Sequence, residues 1–282
     1  MKKLFLWILA VAVTLAAVVY QRKTGPTNPI QKSIGIEGKT YTVSFARSLE
    51  TEIRPLENGT FTGSTKTSDF EFEMKGIKED VSVIMYYKRY PSKDEYTAVT
   101  AEQTVDLFTV KLPSQPPAGK IQYYITLSCN GQTQTFFRDE PVVLRFRNSV
   151  PVYILLPHIL LMFLAMLFAN YTGIISFTSS AKVRRYALWT IVTLALGGLV
   201  FGPFVQYYAF GSYWTGWPLG SDLTDNKTLI MFIVWLVAIL MNRKKTRKYL
   251  YIAAALLTLA VYSIPHSLLG SEYKYQQEQQ GR

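Results

Sequence analysis

A chain of 282 residues, 49% hydrophobic and only 17% charged, fits either one large soluble domain or a membrane protein of modest size, and its long uncharged runs decide for the membrane. With one cysteine and two histidines it has too few thiols for zinc-ribbon, iron–sulfur or covalently attached haem sites. The net charge of +11 does not point to nucleic acid: Lys2, Lys3, Lys182, Arg184, Arg185, Arg243, Lys244, Lys245, Arg247 and Lys248 form three clusters with no acidic residue among them, and the rest of the chain carries 20 basic against 19 acidic residues. The excess is an orientation signal.

The first element is Leu4–Tyr20, an uncharged run behind Lys2 and Lys3. Its layout suits a secretory signal or a signal anchor. Thr14 and Ala16 make a weak cleavage site and no cysteine follows for lipid attachment, so residues 1–27 read as an uncleaved transmembrane anchor.

From Lys39 onward the pattern changes to short alternating runs. Thr40–Phe45, Asp69–Met74, Val81–Tyr90, Leu107–Leu112, Ile121–Cys129, Thr133–Phe137 and Pro141–Arg147 predict seven strands and an all-β sandwich over residues 28–149. Cys129 continues the period-two series Ile121, Tyr123, Ile125, Leu127, which places it on an apolar strand face; an intermolecular disulfide is the alternative. The domain has no histidine, so no Ser-His-Asp or Cys-His arrangement arises within it. Asp69, Glu71 and Glu73 alternate with apolar residues, as on a solvated strand face.

The stretch YYKRYPSKDEYTAV, followed by LPSQPPAGKIQYYITL, resembles the middle and late strands of a fibronectin type III or immunoglobulin-like module. The resemblance covers Thr51 to Arg147. It implies an architecture, with a binding or spacing role, and no activity.

Four further uncharged runs follow: Pro151–Ala181, Tyr186–Ser221, Leu229–Asn242 and Tyr249–Ser271. A helix needs about 20 apolar residues to cross a bilayer, so residues 150–271 read as a four-helix transmembrane bundle. The three basic clusters precede the first span, follow the second and follow the fourth, so a single topology, with the amino end inside, puts all of them on the cytoplasmic side. Residues 28–149 and the polar tail 272–282 are then extracytoplasmic, and the location is a bacterial cytoplasmic (inner) membrane.

Both histidines lie in the pattern [LI]-P-H-x-L-L, as LPHILL around His158 and IPHSLL around His266. His158 lies seven residues into its run, roughly 10 Å along a helix. His266 falls near the outer end of a run in the opposite direction, so the topology gives both rings a similar depth in the outer leaflet. Paired histidines on facing helices are axial ligands for haem b, and Gly197, Gly198 and Gly202 offer a surface for a macrocycle. Copper is the second candidate, with Met162 one turn beyond His158 as a thioether ligand. The third alternative is no cofactor, with the glycines serving helix packing.

An aromatic loop, residues 206–228, contains Tyr207, Tyr208, Phe210, Tyr213, Trp214 and Trp217, as in an interfacial belt. Ser221 and Thr224 are candidate N-caps of the next helix, and Asp222 and Asp225 suit its positive end. In the cofactor reading Asp222, Asp225 and Lys227 line the site, Lys227 facing a propionate. The hexapeptides and WTGWPLGSDLTDNKT also resemble segments of other bacterial membrane proteins, a resemblance that implies location and no activity. Two functions are therefore expected: haem-based electron transfer or redox sensing at the outer face, or a noncatalytic scaffold that holds a protein partner through the β-domain or the bundle.

Overall fold

The computed structural model describes residues 2–51, 53, 66–77, 80–178, 181–265, 273 and 275. Its contacts divide into two compact units, one of Met1–Pro26, Val150–Tyr208 and Ser212–Ser271, the other of Thr27–Ser149, Ala209–Gly211 and Glu272–Arg282.

The second unit is built from three sheets. A hairpin pairs β1 (Ile30–Ile36) with β2 (Lys39–Phe45). The largest sheet runs β3 (Ser48–Glu50), β11 (Val142–Arg147), β9 (Lys120–Cys129), β5 (Ser82–Arg89), β6 (Thr97–Thr100), with β10 (Gln132–Phe136) also paired to β9. The third is β4 (Thr67–Glu73), β8 (Leu107–Pro113), β7 (Glu102–Thr104). Pairing is antiparallel except between β3 and β11.

Alternation drives this assembly. Along β9 every second residue is buried, from Ile121 through Tyr123, Ile125 and Leu127 to Cys129, because successive side chains point to opposite faces. Phe70 and Phe72 of β4, Phe108 and Val110 of β8, and Val43 and Phe45 of β2 join them in one core. Asn130 and Gly131, both at positive φ, turn β9 into β10, the residue pair that a two-residue hairpin favours. Cys129 is a buried free thiol.

The first unit is helical: α1 (Lys2–Thr24), α2 (Val152–Ser176), α3 (Val183–Leu194), a π-helical stretch (Ala195–Phe201), α4 (Gly202–Phe210), α5 (Leu223–Met241) and α6 (Lys248–Ser263). Taking Val183–Phe210 as one rod, four helices among the described residues are long and apolar enough to cross a membrane; the chain is a membrane protein. The α6 helix is shorter than its uncharged run. It stops at Ser263, with Ile264 at φ −71°, ψ 122°, consistent with the ring of Pro265 disfavouring the helical conformation at the residue before it.

A bundle core forms around Trp235, Tyr251, Ala169, Ala254, Met162 and Met231. Two polar side chains there bond within the protein: Trp235 Nε1 donates to Thr258 Oγ1 at 2.8 Å, and Asn242 caps the turn before α6 by accepting from Arg247 N at 2.6 Å. Such pairing is favoured where no water reaches, while the buried Tyr251 hydroxyl has no hydrogen-bond partner among the described residues.

Candidate functional site

The ionisable residues of the bundle gather where α5 begins. Asp222 is the N-cap of α5, its carboxylate accepting from Thr224 N at 2.7 Å. Ser221 and Thr224, the caps expected from sequence, flank it. A carboxylate satisfies an orphan amide and also opposes the positive helix end, so it outcompetes the hydroxyls on both sides.

Asp225, Asn226 and Lys227 of α5 hold two different segments. Asp225 accepts from Thr215 N at 2.7 Å and Gly216 N at 3.1 Å, and Asn226 accepts from Trp217 N at 2.7 Å. Gln206, on α4, donates to Thr215 Oγ1. Together these bonds fold the aromatic segment back onto α5. The approach is close enough that a Cβ at Gly216 would lie 2.6 Å from Asp225 Cβ, so glycine is required there.

Lys227 points to α6. Its ammonium donates to Ile264 O at 2.7 Å and Pro265 O at 3.1 Å, the carbonyls exposed by the early end of that helix. A cation there satisfies orphan acceptors and the negative helix end at once. Asp222, Asp225 and Lys227 are all buried, at 9%, 7% and 5% exposure, so each of these contacts replaces water.

His158 lies on α2, half-buried, with Nδ1 2.9 Å from Gly197 O. A carbonyl only accepts, so Nδ1 carries the proton and the neutral ring presents Nε2 as its lone-pair nitrogen. The same carbonyl accepts from Gly202 N, five residues on, the i to i+5 pattern of a π-helix. Pro203 accounts for the irregularity, since it has no N–H for Leu199 and its ring crowds that carbonyl.

Of the three glycines expected to meet a macrocycle, two are closely packed by protein, while at Gly202 a Cβ would meet only Gly197 O at 3.6 Å and His158 Cε1 at 3.8 Å. A Cβ at Gly197 would lie 2.9 Å from Leu161 Cβ and 3.1 Å from Met162 N, and one at Gly198 would lie 2.5 Å from Thr228 Cγ2. These glycines admit α2 and α5 against the π stretch. Met162 Sδ packs in the same seam, 3.2 Å and 3.6 Å from those two Cβ positions. Met162 also lines an apolar cavity of about 10 Å³ with Ala165, Met166, Thr190, Leu194, Met231, Trp235, Thr258 and Tyr262, room for one water at most.

Contacts run continuously from His158 through Gly197 and Gly198 to Thr228, and from the neighbouring Lys227 to Pro265. Ile264 and Pro265, the first two residues of the second hexapeptide, thus meet the same band of the bundle as His158, and His266 lies outside the described residues. Among the described residues, no three His, Cys, Asp or Glu side chains cluster as a metal site. Asn226 and the Gly197 carbonyl were not visible as site groups in the sequence. The signal for the latter was GGLVFGP, two glycines and a Gly-Pro pair in an otherwise uniform apolar helix.

The sequence matches no protein-family model and no curated protein. Among solved structures, astrotactin-2, described as a conserved vertebrate-specific and perforin-like membrane protein involved in neuronal development, aligns with 79% of this chain and 40% of its own at 11% identity and a TM-score of 0.25. A likeness at that level carries no argument about fold or function.

Proposed function

We propose that this chain is a noncatalytic scaffold or assembly protein of a bacterial cytoplasmic membrane, with its amino end inside and a fibronectin type III or immunoglobulin-like β-domain outside that recruits a protein partner. The observation that carries this reading is the use made of the buried polar side chains. Asp222, Asp225, Lys227 and His158 each bond a backbone group of the bundle itself, which is what a rigid support requires. The basic clusters support the orientation, and the outward-facing polar residues of β4, β5 and β9 support a water-exposed β-domain.

A second reading is favoured by one atom. A histidine whose Nδ1–H is held by a carbonyl has its Nε2 aimed and its tautomer fixed, the outer-shell arrangement that metal-ligating histidines use. Haem b held by His158 and His266, for electron transfer or redox sensing, is that reading; copper is its lesser form. The absorption spectrum of the detergent-solubilised, dithionite-reduced protein, expressed with ample haem, separates the two. The scaffold reading expects no b-type bands. Bands that vanish in both His158→Ala and His266→Ala would replace it by the haem reading. Orientation is tested by a reporter fused after Arg282, expected to be active only outside.

A further inference from the structure

We propose that α1 is a permanent fifth member of the helical bundle, docked by a built interface on α2 and α6, and that it is neither a removable leader nor a bare tether. The interface is written in the sequence of α1 as Trp7, Ala10, Thr14, Ala17 and Gln21. The spacing of three and four residues puts all five on one helical face.

Each position on that face makes a specific fit. Trp7 stacks on Tyr171 with ring centroids 3.8 Å apart and planes at 13°, and meets Tyr186 edge-on at 5.7 Å. Tyr171 and Tyr186 in turn pack edge to face at 4.7 Å, so one aromatic cluster joins α1, α2 and α3. Ala10 and Ala17 are buried, and small residues at such positions let helix backbones approach inside a membrane.

Polar groups complete the interface. Thr14 is fully buried; its hydroxyl donates to Ala10 O at 2.7 Å and accepts from Asn170 Nδ2 at 3.0 Å. Asn170 would otherwise present an amide donor to hydrocarbon, at a cost that an interhelical bond relieves. Toward the other end of α1, Gln21 Nε2 donates to Tyr262 O at 3.1 Å, tying the helix to α6. The opposite face carries Leu4, Phe5, Ile8, Leu15 and Val19, all exposed, as lipid-facing residues are. A leader that is cut away or a tether that only anchors has no use for a buried threonine aligned with an asparagine on another helix.

Two measurements on the full chain test this. Mass spectrometry of the wild-type protein extracted from membranes should recover α1 still joined to the rest of the chain; a mature amino terminus between residues 15 and 27 would overturn the proposal. Cross-linking then tests docking in a Cys129→Ser background, which removes the single native thiol. The pair Thr14→Cys with Asn170→Cys should react with a short bifunctional thiol reagent about tenfold more than Leu15→Cys with Asn170→Cys, since adjacent helical residues point about 100° apart. Equal yields from the two pairs, with α1 still attached, would show a tether that does not dock.

Discussion

Gly198 gives the sharpest test of what the glycine seam is for. Adding one methyl there places a carbon 2.5 Å from Thr228 Cγ2, against an optimum of about 3.5–4.0 Å for two carbons, so something must move by about 1 Å. Thr228 cannot swing aside cheaply: it is β-branched on α5, and its hydroxyl donates to Thr224 O at 3.1 Å. The strain therefore falls on the backbones, and overpacking of this kind costs about 1–3 kcal/mol. Gly198→Ala should lower the melting temperature of the detergent-solubilised protein, read by intrinsic fluorescence. Thr228→Ser removes Cγ2 and keeps the hydroxyl, so the double variant should recover most of the loss. A double variant no more stable than Gly198→Ala alone would refute direct packing of the π stretch on α5. A Gly198→Ala protein as stable as wild type would refute the close approach itself.

Asp225→Asn should loosen the segment between α4 and α5, because hydrogen bonds to a charged group contribute about 1.5–3 kcal/mol; limited proteolysis between residues 211 and 222 should accelerate, and unchanged cleavage would count against the clamp. Lys227→Met should raise hydrogen exchange in the last turn of α6, because Ile264 and Pro265 just beyond it lose their donor, and exchange equal to wild type would show that the ammonium does not hold that end. Residues 28–148 alone should be soluble and melt cooperatively, since the core of the β-unit draws on residues of its own strands; a molten product would oppose this. Asp94 is held below the usual carboxylate range by hydrogen bonds from Arg89, at 2.6 Å and 3.2 Å, against a smaller upward push from burial. With a folded pKa below the unfolded one, the pair's stabilisation is complete above the ordinary aspartate value of about 3.9 and is lost as pH falls through the lowered folded value. Asp94→Asn should flatten the melting-temperature profile in that acid window, and identical slopes would refute the linkage.

The seven long alternating runs all appear as strands because a buried face imposes period two on any sequence that covers it. Four strands were not expected: β3 has three residues, β6 and β7 contain no fully buried side chain, and β1 carries the polar run Gln31–Ser33 before its two buried residues, Ile34 and Ile36. Here pairing to a neighbour decides, and pairing leaves no mark on a single strand's sequence. The apolar runs located every helix of the bundle, since an uncharged stretch is the one requirement lipid makes. They overstated α6, because hydropathy does not register that Pro265 ends the helix at Ser263. The docking of α1 was legible in principle from Thr14 and Gln21 at helical spacing from Ala10 and Ala17, but a period of polar and small residues is muted beside seventeen uncharged positions.

The polar residues of the bundle follow its irregularities. Asp222 answers the free amides at the start of α5, Lys227 the free carbonyls at the end of α6, Asp225 and Asn226 the amides of the segment between α4 and α5, and His158 the carbonyl displaced at the π stretch. Inside a membrane each such group must find a partner within the protein, so a helix end or π turn placed there demands a polar side chain nearby. On this view the charged cluster needs no ligand to explain it, because its hydrogen bonds are met by backbone. His158 differs from the carboxylates in one respect. Its bond to Gly197 uses Nδ1, and among the described residues Nε2 has no hydrogen-bond partner. A phenylalanine or glutamine could not supply a fixed, neutral nitrogen donor to a ligand, whereas a glutamine could supply the N–H that Gly197 O accepts. His158→Gln should therefore preserve unfolding free energy to within about 1 kcal/mol of wild type if the ring serves only the π stretch. A protein that keeps its stability with glutamine but loses a reduced b-type spectrum would assign the chemistry to Nε2, and one that loses nothing would leave His158 as structure alone.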